Sequence, residues 1–457
     1  MICVGFERYE AYKDSGVDCL GDVPKHWEIL RVKDTVNKIG NGVTPKGGSE
    51  VYTNQGIPFI RSQNVYDEGL RLVDVSFIPL EIHNEMKGSQ LKKGDILINI
   101  TGASIGRTCV VPAELGAANI NQHVAFLRTK YWFNTTYISL FLKSAFIKKY
   151  IQFEQNGASK EALNLAQIAR IPIVLPKIEE QKAIADYLGV KTAQIDRKID
   201  LLSQKAIKYS KLKQSLINET VTRGLNKTVA MRYSGVEWIG EVPEHWGVKR
   251  LKELGFLYSG LSGKKGEDFT DEHEFSGDFI PFVNIANNQY VSITDIKKVI
   301  VYPNEKQNKV RKNDLFFLMS SENHDDIGKS ALLKHDIADT YLNSFCKGFR
   351  FTKKDIVPNF INHLLASEQY RNSLSVEGKG FTRINLKIEK INDLLVIIPP
   401  FSEQKAIADY LDTKTAHIDR IVETINIQID KLKELRKTLI NDVITGKIKV
   451  SMEGEAV

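Results

Sequence analysis

The sequence predicts two copies of a mixed α/β (α+β) domain, each followed by a long amphipathic helix, with the two helices paired as an antiparallel coiled coil. Three observations carry this. The segment Glu180-Gln-Lys-Ala-Ile-Ala-Asp-Tyr-Leu188 recurs unchanged from Glu403 to Leu411, an offset of 223 residues. Gly21-Asp-Val-Pro-Lys-His-Trp27 recurs as Gly240-Glu-Val-Pro-Glu-His-Trp246, an offset of 219. Beyond each copy of the first segment, apolar residues follow the 4, 3, 4, 3 spacing of a coiled-coil seam. Internal self-similarity of this kind decides architecture before any local pattern does.

Between the anchors the copies diverge but keep landmarks. Ile57-Pro-Phe59 pairs with Ile280-Pro-Phe282, Asp95 with Asp314, Ile105-Gly-Arg107 with Ile327-Gly-Lys329, Asn121 and Arg128 with Asn343 and Arg350, and Asn164-Leu165 with Asn385-Leu386. Short β-rich runs bounded by Gly, Pro and Asn read as strands: 57–60, 95–100, 109–111, 124–127 and 171–175. Helical periodicity marks 135–150 and 358–370. The resulting divisions are 1–178 and 225–401 for the globular copies, and 179–224 and 402–457 for the helical regions. The ends of each copy match and the middles differ, which suggests one scaffold carrying two different reading surfaces.

The helical seams run Ile195, Ile199, Leu202, Ala206, Tyr209, Leu212, Leu216 and Ile418, Val422, Ile425, Ile429, Leu432, Leu435, Leu439. Each must be buried, and the matching seam of the other copy is the natural partner. About 40 residues make roughly 60 Å of helix. A parallel pair would need its chain to return that distance between Thr222 and Gly240, barely possible at about 3.3 Å per residue. An antiparallel pair with a pseudo-twofold relation is favoured.

Composition sets limits. The 457 residues are 42% hydrophobic and 26% charged, with a net charge of +7. This permits an anionic partner without requiring one. The four cysteines form no C-x-x-C pair, and no apolar window reaches the ~20 residues of a membrane span. A soluble, cytoplasmic protein without a membrane partner is expected. Gly328-Lys329-Ser330 mimics the end of a P-loop, but the Gly required five residues before Gly328 is Asn323. No H-E-x-x-H or G-x-G-x-x-G occurs, and the nine histidines show no metal-ligand spacing. His26 and His245, beside Trp27 and Trp246, read as packing at the domain starts. No catalytic residue and no metal site is indicated.

The polar loops are richer. Arg reads guanine and Asn or Gln reads adenine through paired hydrogen bonds. Arg61, Ser62, Gln63 and Asn64 follow one strand, Thr101, Ser104 and Arg107 a second, and Asn121, Gln122 and His123 a third. The second copy offers Asn284, Asn287, Asn288, Ser320, Ser321, Asn323 and Asn343. Lys46, Lys264, Lys265, Lys329, Lys379 and Arg383 are candidates for phosphate contact.

With the repeat and these loops in hand, the chain resembles the specificity subunit of type I restriction-modification systems. The resemblance spans about Val17 to Gly446. It rests on Trp27 and Trp246, Gly56-Ile-Pro-Phe59, Gly94-Asp-Ile-Leu97, Ser104-Ile-Gly106, Asn164-Leu165, and the Pro-x3-Glu-Gln stretches beginning at Pro176 and Pro399. The second copy departs where Asn313-Asp-Leu replaces Gly-Asp-Ile, and where Ser320–Asp326 enlarges a loop. The resemblance implies a non-catalytic subunit whose two target recognition domains read the halves of an asymmetric site in double-stranded DNA. It implies that the helices set the gap and dock two modification subunits, with restriction and translocase subunits beyond them. Candidates for coiled-coil pairing and docking are Gln181, Ile184, Tyr187, Leu188, Ile195, Ile199 and Leu202, then Gln404, Ile407, Tyr410, Leu411, Ile418, Val422 and Ile425. Cofactors would belong to the partners (S-adenosylmethionine, ATP and Mg), with none in this chain. A methyltransferase fused to its own specificity domain lacks its motifs here. A protein-binding scaffold would have no need of two divergent loop sets.

Overall fold

A computed structural model describes residues 7–155, 162–380 and 383–451. The chain divides into two compact units, Met1–Leu202 with Ile427–Val457, and Ser203–Asn426. The units therefore cut each long helix in two, where the sequence divisions kept each helix whole.

In the first unit a four-stranded antiparallel sheet runs Thr108–Val110, Ile96–Asn99, Val124–Thr129, Val36–Asn41. A second sheet sets Ile57–Ile60 between Asn119–Ile120, parallel, and Ser76–Ile78, antiparallel. Glu28–Arg31 pairs with Pro172–Leu175, tying the start of the domain to its end. The central strands read as unbroken apolar runs because both their faces are buried. Ile96 and Ile98 enter one core with Trp27 and Phe141, while Leu97 enters another with Ile60 and Phe126. Alternate side chains point to opposite faces, so one strand feeds two cores.

The second unit repeats this topology strand for strand. Its sheets run Ser330–Leu332, Leu315–Leu318, Cys346–Phe351, Gly255–Ser259, and Thr340–Leu342, Ser276–Ile280, Lys297–Ile300; the closing pair is Gly247–Arg250 with Leu395–Ile398. Leu315 and Phe317 again face one core, and Phe316 and Leu318 the other.

The ladders correct two sequence pairings. Ile60 sits opposite Ile120 and Ile280 opposite Leu342, while the next residues, Asn121 and Asn343, donate their amides to the Ile60 and Ile280 carbonyls. Ile60 is thus equivalent to Ile280, and Ile57-Pro-Phe59 lies three residues out of register with Ile280-Pro-Phe282. Likewise Leu163 and Leu386 donate to the Ile100 and Met319 carbonyls. The Asn164-Leu165 match with Asn385-Leu386 is therefore two residues out. Each region read as one helix is two: Thr135–Leu142 and Ala145–Gln155, then Pro358–Leu365 and Glu368–Val376. The first break falls at Ser144, whose hydroxyl accepts the Ile147 amide in place of a continued helical bond.

The Asp and Arg landmarks have a structural cause. Arg128 donates Nε and Nη2 to the two oxygens of buried Asp95 at 2.8 and 2.7 Å. Arg350 does the same to Asp314 at 2.9 and 2.6 Å. The Lys92 and Arg311 amides complete the carboxylates, as a buried charge requires. Hydrogen bonding to the carboxylate raises both arginines further above their ordinary value.

The long helices span Ile178–Arg223 and Phe401–Ile444. In the first unit Ile184 and Leu188 share a core with Ile440 and Ile444, and Asp196 meets Arg436 at 2.9 Å. In the second, Ile217 and Val221 share a core with Ile407 and Leu411, and Lys213 meets Asp419 at 2.6 Å. Within each unit the helix segments are therefore antiparallel, as expected. The seam differs at one step: Leu212 and Leu435 are 54% and 46% exposed, and the following residues, Lys213 and Arg436, face the partner helix. The 3.6-residue turn drifts against a strict heptad until the contact moves on by one residue.

A joint fixes each domain to the helices. Trp27 donates Nε1–H to Glu180 in the first helical turn, and His26 lies 2.9 Å from the same carboxylate. Trp246 and His245 meet Glu403 in the same way at 3.1 and 2.7 Å. The other edge of each indole faces a glycine just past a helix end, Gly446 at φ 77° for Trp27 and Gly224 at φ 73° for Trp246. A left-handed helix end favours glycine, and any Cβ on Gly446 would lie 2.3 Å from Pro24. The packing reading of His26 and His245 matches this geometry.

Candidate nucleic-acid interface

Three loops of the first unit converge. Asn99, at the end of the central strand, donates to the Ser62 carbonyl at 2.8 Å and to Ser104 Oγ at 3.0 Å. Thr101 Oγ1 lies 2.7 Å from His123 Nδ1, and Gln122 contacts the other ring nitrogen at 3.1 Å. The Arg61, Thr101 and Asn121 loops, far apart in sequence, thus form one surface, and the fully buried Asn99 that joins the first two was not singled out from the sequence. Arg107 lies over the Tyr66 ring at 4.8 Å, with Arg71 at 3.6 Å from the same ring. Arg71 was also missed: its only sequence signal is an Arg five residues after a Tyr.

The second unit assembles the equivalent loops. Ser320–Ser321 pairs with Ile384–Asn385, and Arg383 lies over Phe345, 4.8 Å from the ring centre. Met319 donates its amide to the Phe345 carbonyl, closing the loop cluster.

Several candidates are committed within their own unit. Asn64 is buried, accepting from the Arg61 amide and donating to the Arg71 carbonyl. Asn284, its equivalent, bonds both to the amide and to the carbonyl of Ser292, and Asn288 donates back to Asn284. Asn121 and Asn343 are buried turn formers whose side-chain oxygens accept the amides two residues on. Asn323 does the same to Asp325. The Lys264 side chain is 5% exposed and paired with Glu305. Lys329 is held by Asp326 and the Ala286 carbonyl. These side chains shape loops. Lys46, Gln63, Gln122, Lys265, Asn287, Lys379 and Arg383 are exposed. Arg61 is half-buried and reaches the Asp74 carbonyl at 3.5 Å.

Of the helix candidates, Gln181 and Gln404 are buried clamps inside their own units. Gln181 accepts from the Asn134 amide and donates to the Pro176 carbonyl. Gln404 accepts from Val357 and donates to Pro399 and Asp355. Ile184, Tyr187, Leu188, Ile407 and Leu411 are buried, with Tyr410 partly so, against the domain and the neighbouring helix. Ile195, Ile199 and Leu202 are half-buried on the seam, as is Val422, while Ile418 and Ile425 are buried.

One cluster had no sequence signal. Asp412, on the C-terminal helix, accepts from Tyr290 at 2.5 Å, His363 Nε2 at 2.8 Å, Lys334 at 2.7 Å and Asn359 at 2.9 Å. Burial works to raise its carboxyl, but the bonds from His363, Lys334 and Tyr290 outweigh burial and hold it well below the usual carboxylate range. Burial and the bond to Asp412 push the Tyr290 phenol up. The matching position in the first copy is Gly189.

Chemically, the loops offer amides, hydroxyls and guanidinium groups on a rigid frame. Burial pushes the Cys109 thiol up to about 12 and raises Cys346 as well, so neither is a ready nucleophile. Among the described residues, no group of three or more His, Cys, Asp or Glu is placed to hold a metal ion, and no helix is long and apolar enough to cross a membrane.

Comparisons agree with this architecture. The family described as "Type I restriction modification DNA specificity domain" matches residues 24–208 and again 243–431. The chain is 24% identical to the type I restriction enzyme EcoKI specificity subunit of Escherichia coli K12, covering 95% of this chain and 92% of that protein. It is 24% identical to the MjaVIII specificity subunit of Methanocaldococcus jannaschii, covering 94% of each. A solved chain from work on assembly and conformational transition of the type I R-M system superposes with a TM-score of 0.70 at 14% identity, covering 92% of this chain and 98% of that one. The HsdS subunit from Thermoanaerobacter tengcongensis gives 0.53, also at 14% identity, over 93% and 98%.

Proposed function

This chain belongs to the family defined by the type I restriction modification DNA specificity domain, and on that premise we propose that each of its globular domains reads one half of a bipartite, asymmetric site in double-stranded DNA. The observation that carries this is the pairing of one frame with two loop sets. The joints at Trp27 and Trp246, the Asp–Arg pairs and the strand order are the same in both copies. The side chains exposed on the loops differ, with Gln63 and Gln122 in one and Asn287 and Arg383 in the other. A protein that needed only two docking domains would have no reason to vary the loops alone.

The chain supplies reading and assembly rather than chemistry. It takes no cofactor itself; S-adenosylmethionine, ATP and Mg serve its partners. Those partners are two modification subunits and the restriction and translocase subunits. The two long helices offer the docking surface and set the separation of the half-sites. The complex works in the cytoplasm, where the DNA is.

Methylome sequencing of cells carrying the partner subunits, with and without this chain, tests the reading. A bipartite adenine motif should depend on the chain. Exchanging residues 20–175 for those of a relative should alter one half of the motif only. A motif that does not depend on the chain, or one changed in both halves by the exchange, overturns it.

A further inference from the structure

We propose that the second domain reads the 5-methyl group of thymine through an apolar ridge formed by Phe282, Val283 and Phe345. This rests on the DNA-reading function above and deepens it to one base-edge group. The strand register makes Ile60 equivalent to Ile280 and Asn121 to Asn343. Phe282 and Val283 therefore occupy the places of Ser62 and Gln63, and Phe345 that of His123. The first domain presents hydrogen-bonding side chains at all three positions. The second presents none.

Phe345 packs half-buried against the core, and Phe282 and Val283 stand outside it. Phe282 and Val283 are 39% and 40% exposed although adjacent in sequence. Phe282 and Phe345 meet edge to face with their rings 5.9 Å apart, and Arg383 covers the free side of Phe345 at 4.8 Å. The Arg383 side chain is 51% exposed, and its neighbouring carboxylate, Glu322, stands 3.9 Å away. This ion pair is too long for a hydrogen bond, so a phosphate or a base edge can compete with Glu322 for the guanidinium.

Charge frames the ridge. On the Phe345 side lies a cleft of about 550 Å³ bearing Lys347, Arg383 and Lys387 against Glu389. On the Phe282 side lies another of about 630 Å³ bearing Lys297, with Lys298 paired to Asp278 at 2.8 Å and Asp271 nearby. An apolar crest beside a cationic cleft, with Lys297 on its other side, complements a duplex groove, where base edges lie between two phosphate strands. Apolar side chains carry no donor or acceptor, so they cannot sense the polar code of the bases. The apolar mark on a major-groove edge is the thymine methyl.

The test uses the assembled complex of this chain with its modification subunits. Once the motif is known, each dT in the half-site governed by residues 225–401 is replaced singly by deoxyuridine, which pairs identically but lacks the methyl. Binding is measured by fluorescence anisotropy at fixed salt. At least one replacement should weaken binding about four-fold, the value of one buried methyl at about 0.8 kcal/mol. The loss should vanish in a Phe282→Ser/Phe345→His variant, which carries the first domain's residues, while base-pair changes in the other half-site keep their full effect. If that variant melts early, Val283→Gln serves in its place. Replacements that all leave binding unchanged, or a loss as large in the variants as in the wild type, overturn the proposal. A strong rise in 2-aminopurine fluorescence at the site without a deoxyuridine effect also overturns it, since the ridge would then be a wedge between base steps. If base-pair changes matter and deoxyuridine does not, only this inference fails. If neither matters, the DNA-reading function itself fails.

Discussion

Replacing Asp412 with Ala removes the acceptor shared by Tyr290, His363, Lys334 and Asn359. The four donors do not lose equally. Lys334 is 37% exposed on its side chain and turns to water at little cost. His363 is fully buried, and Gln289 donates to its Nδ1 at 2.9 Å, which places its proton on the Nε2 that faces Asp412. That proton loses its carboxylate and keeps only the Tyr290 oxygen at 3.0 Å. The Asn359 Nδ2–H is left without its acceptor, while the Tyr290 hydroxyl can still donate to Asn359 Oδ1 at 2.9 Å. One or two buried donors weakened at about 1–3 kcal/mol each, partly rescued by these contacts, give a loss of about 2–3 kcal/mol. For a unit of this size each kcal/mol shifts Tm by about 2–4 °C, so calorimetry of the full chain should show the transition of the second unit falling by about 4–12 °C. Asp412→Asn, which keeps one acceptor oxygen, should fall by about half as much. The sign with pH follows from the depressed carboxyl. Its contribution is whole above the ordinary Asp value of about 3.9 and is lost as pH falls through the lower folded value. The gap between wild type and Asp412→Ala should therefore be flat from about pH 5 to 8 and narrow only in stronger acid. A gap under about 1 °C at neutral pH would mean that the cluster does not hold the domain to its helix. A gap that persists unchanged in acid would mean that charge is not the cause.

Gly42→Ala and Gly260→Ala should each destabilise their own unit by about 1–3 kcal/mol or more, because a Cβ would lie 2.1 Å from the Ile120 carbonyl oxygen and 2.2 Å from that of Asn343. A Tm within about 1 °C of wild type would show that the strands can part freely there. Lys379→Ala, at an exposed candidate for phosphate contact, should weaken binding about equally on all DNA sequences and reduce the salt slope by about 1; an unchanged slope removes Lys379 from the interface. Inserting seven residues after Leu202 and after Ile425 would lengthen each helix by about 10.5 Å. It should change the spacer of the methylated motif or abolish methylation, and an unchanged spacer would show that the helices do not set it.

The sequence revealed the frame more fully than the surface. At the joint of Trp27, Glu180 and Gly446 each residue type fills a single role, as indole donor, carboxylate acceptor or left-handed helix end. The same demand returns at Trp246, Glu403 and Gly224, so identity survives at both places and the repeat can be seen. Asp95 with Arg128, and Asp314 with Arg350, are legible for the same reason, since a buried carboxylate tolerates few partners. The errors arose where one residue type serves two purposes. An Asn that reads adenine and an Asn that fastens a turn look alike, and Asn64, Asn121, Asn284 and Asn343 are of the second kind. Lys264 looked free because its partner, Glu305, lies 41 residues away. The Ile-Pro-Phe pairing failed because local identity is blind to ladder register, and three residues of slip bring different side chains to the loop. Phe282, Phe345 and Asp412 were missed because the candidates were sought among polar and basic loop side chains, where an apolar residue or a helix carboxylate gives no signal.

These corrections bear on how a common frame would come to read two different half-sites. Every loop must first satisfy its own buried amides and carbonyls, and in both domains an Asn just after the edge strand that pairs in parallel, Asn121 or Asn343, does so. Specificity then falls to the side chains that remain. In the first domain those include Gln63 and Gln122, which can form paired hydrogen bonds worth about 1–3 kcal/mol against a wrong base. In the second they include Phe282 and Phe345, whose contact with a methyl is worth about 0.8 kcal/mol, beside Arg383, which can pair with guanine or phosphate. The two domains would then differ in the kind of discrimination they exert as well as in the bases they select. The recurring Trp–Glu joints at Trp27 and Trp246 allow this, because no residue of either joint belongs to a reading loop.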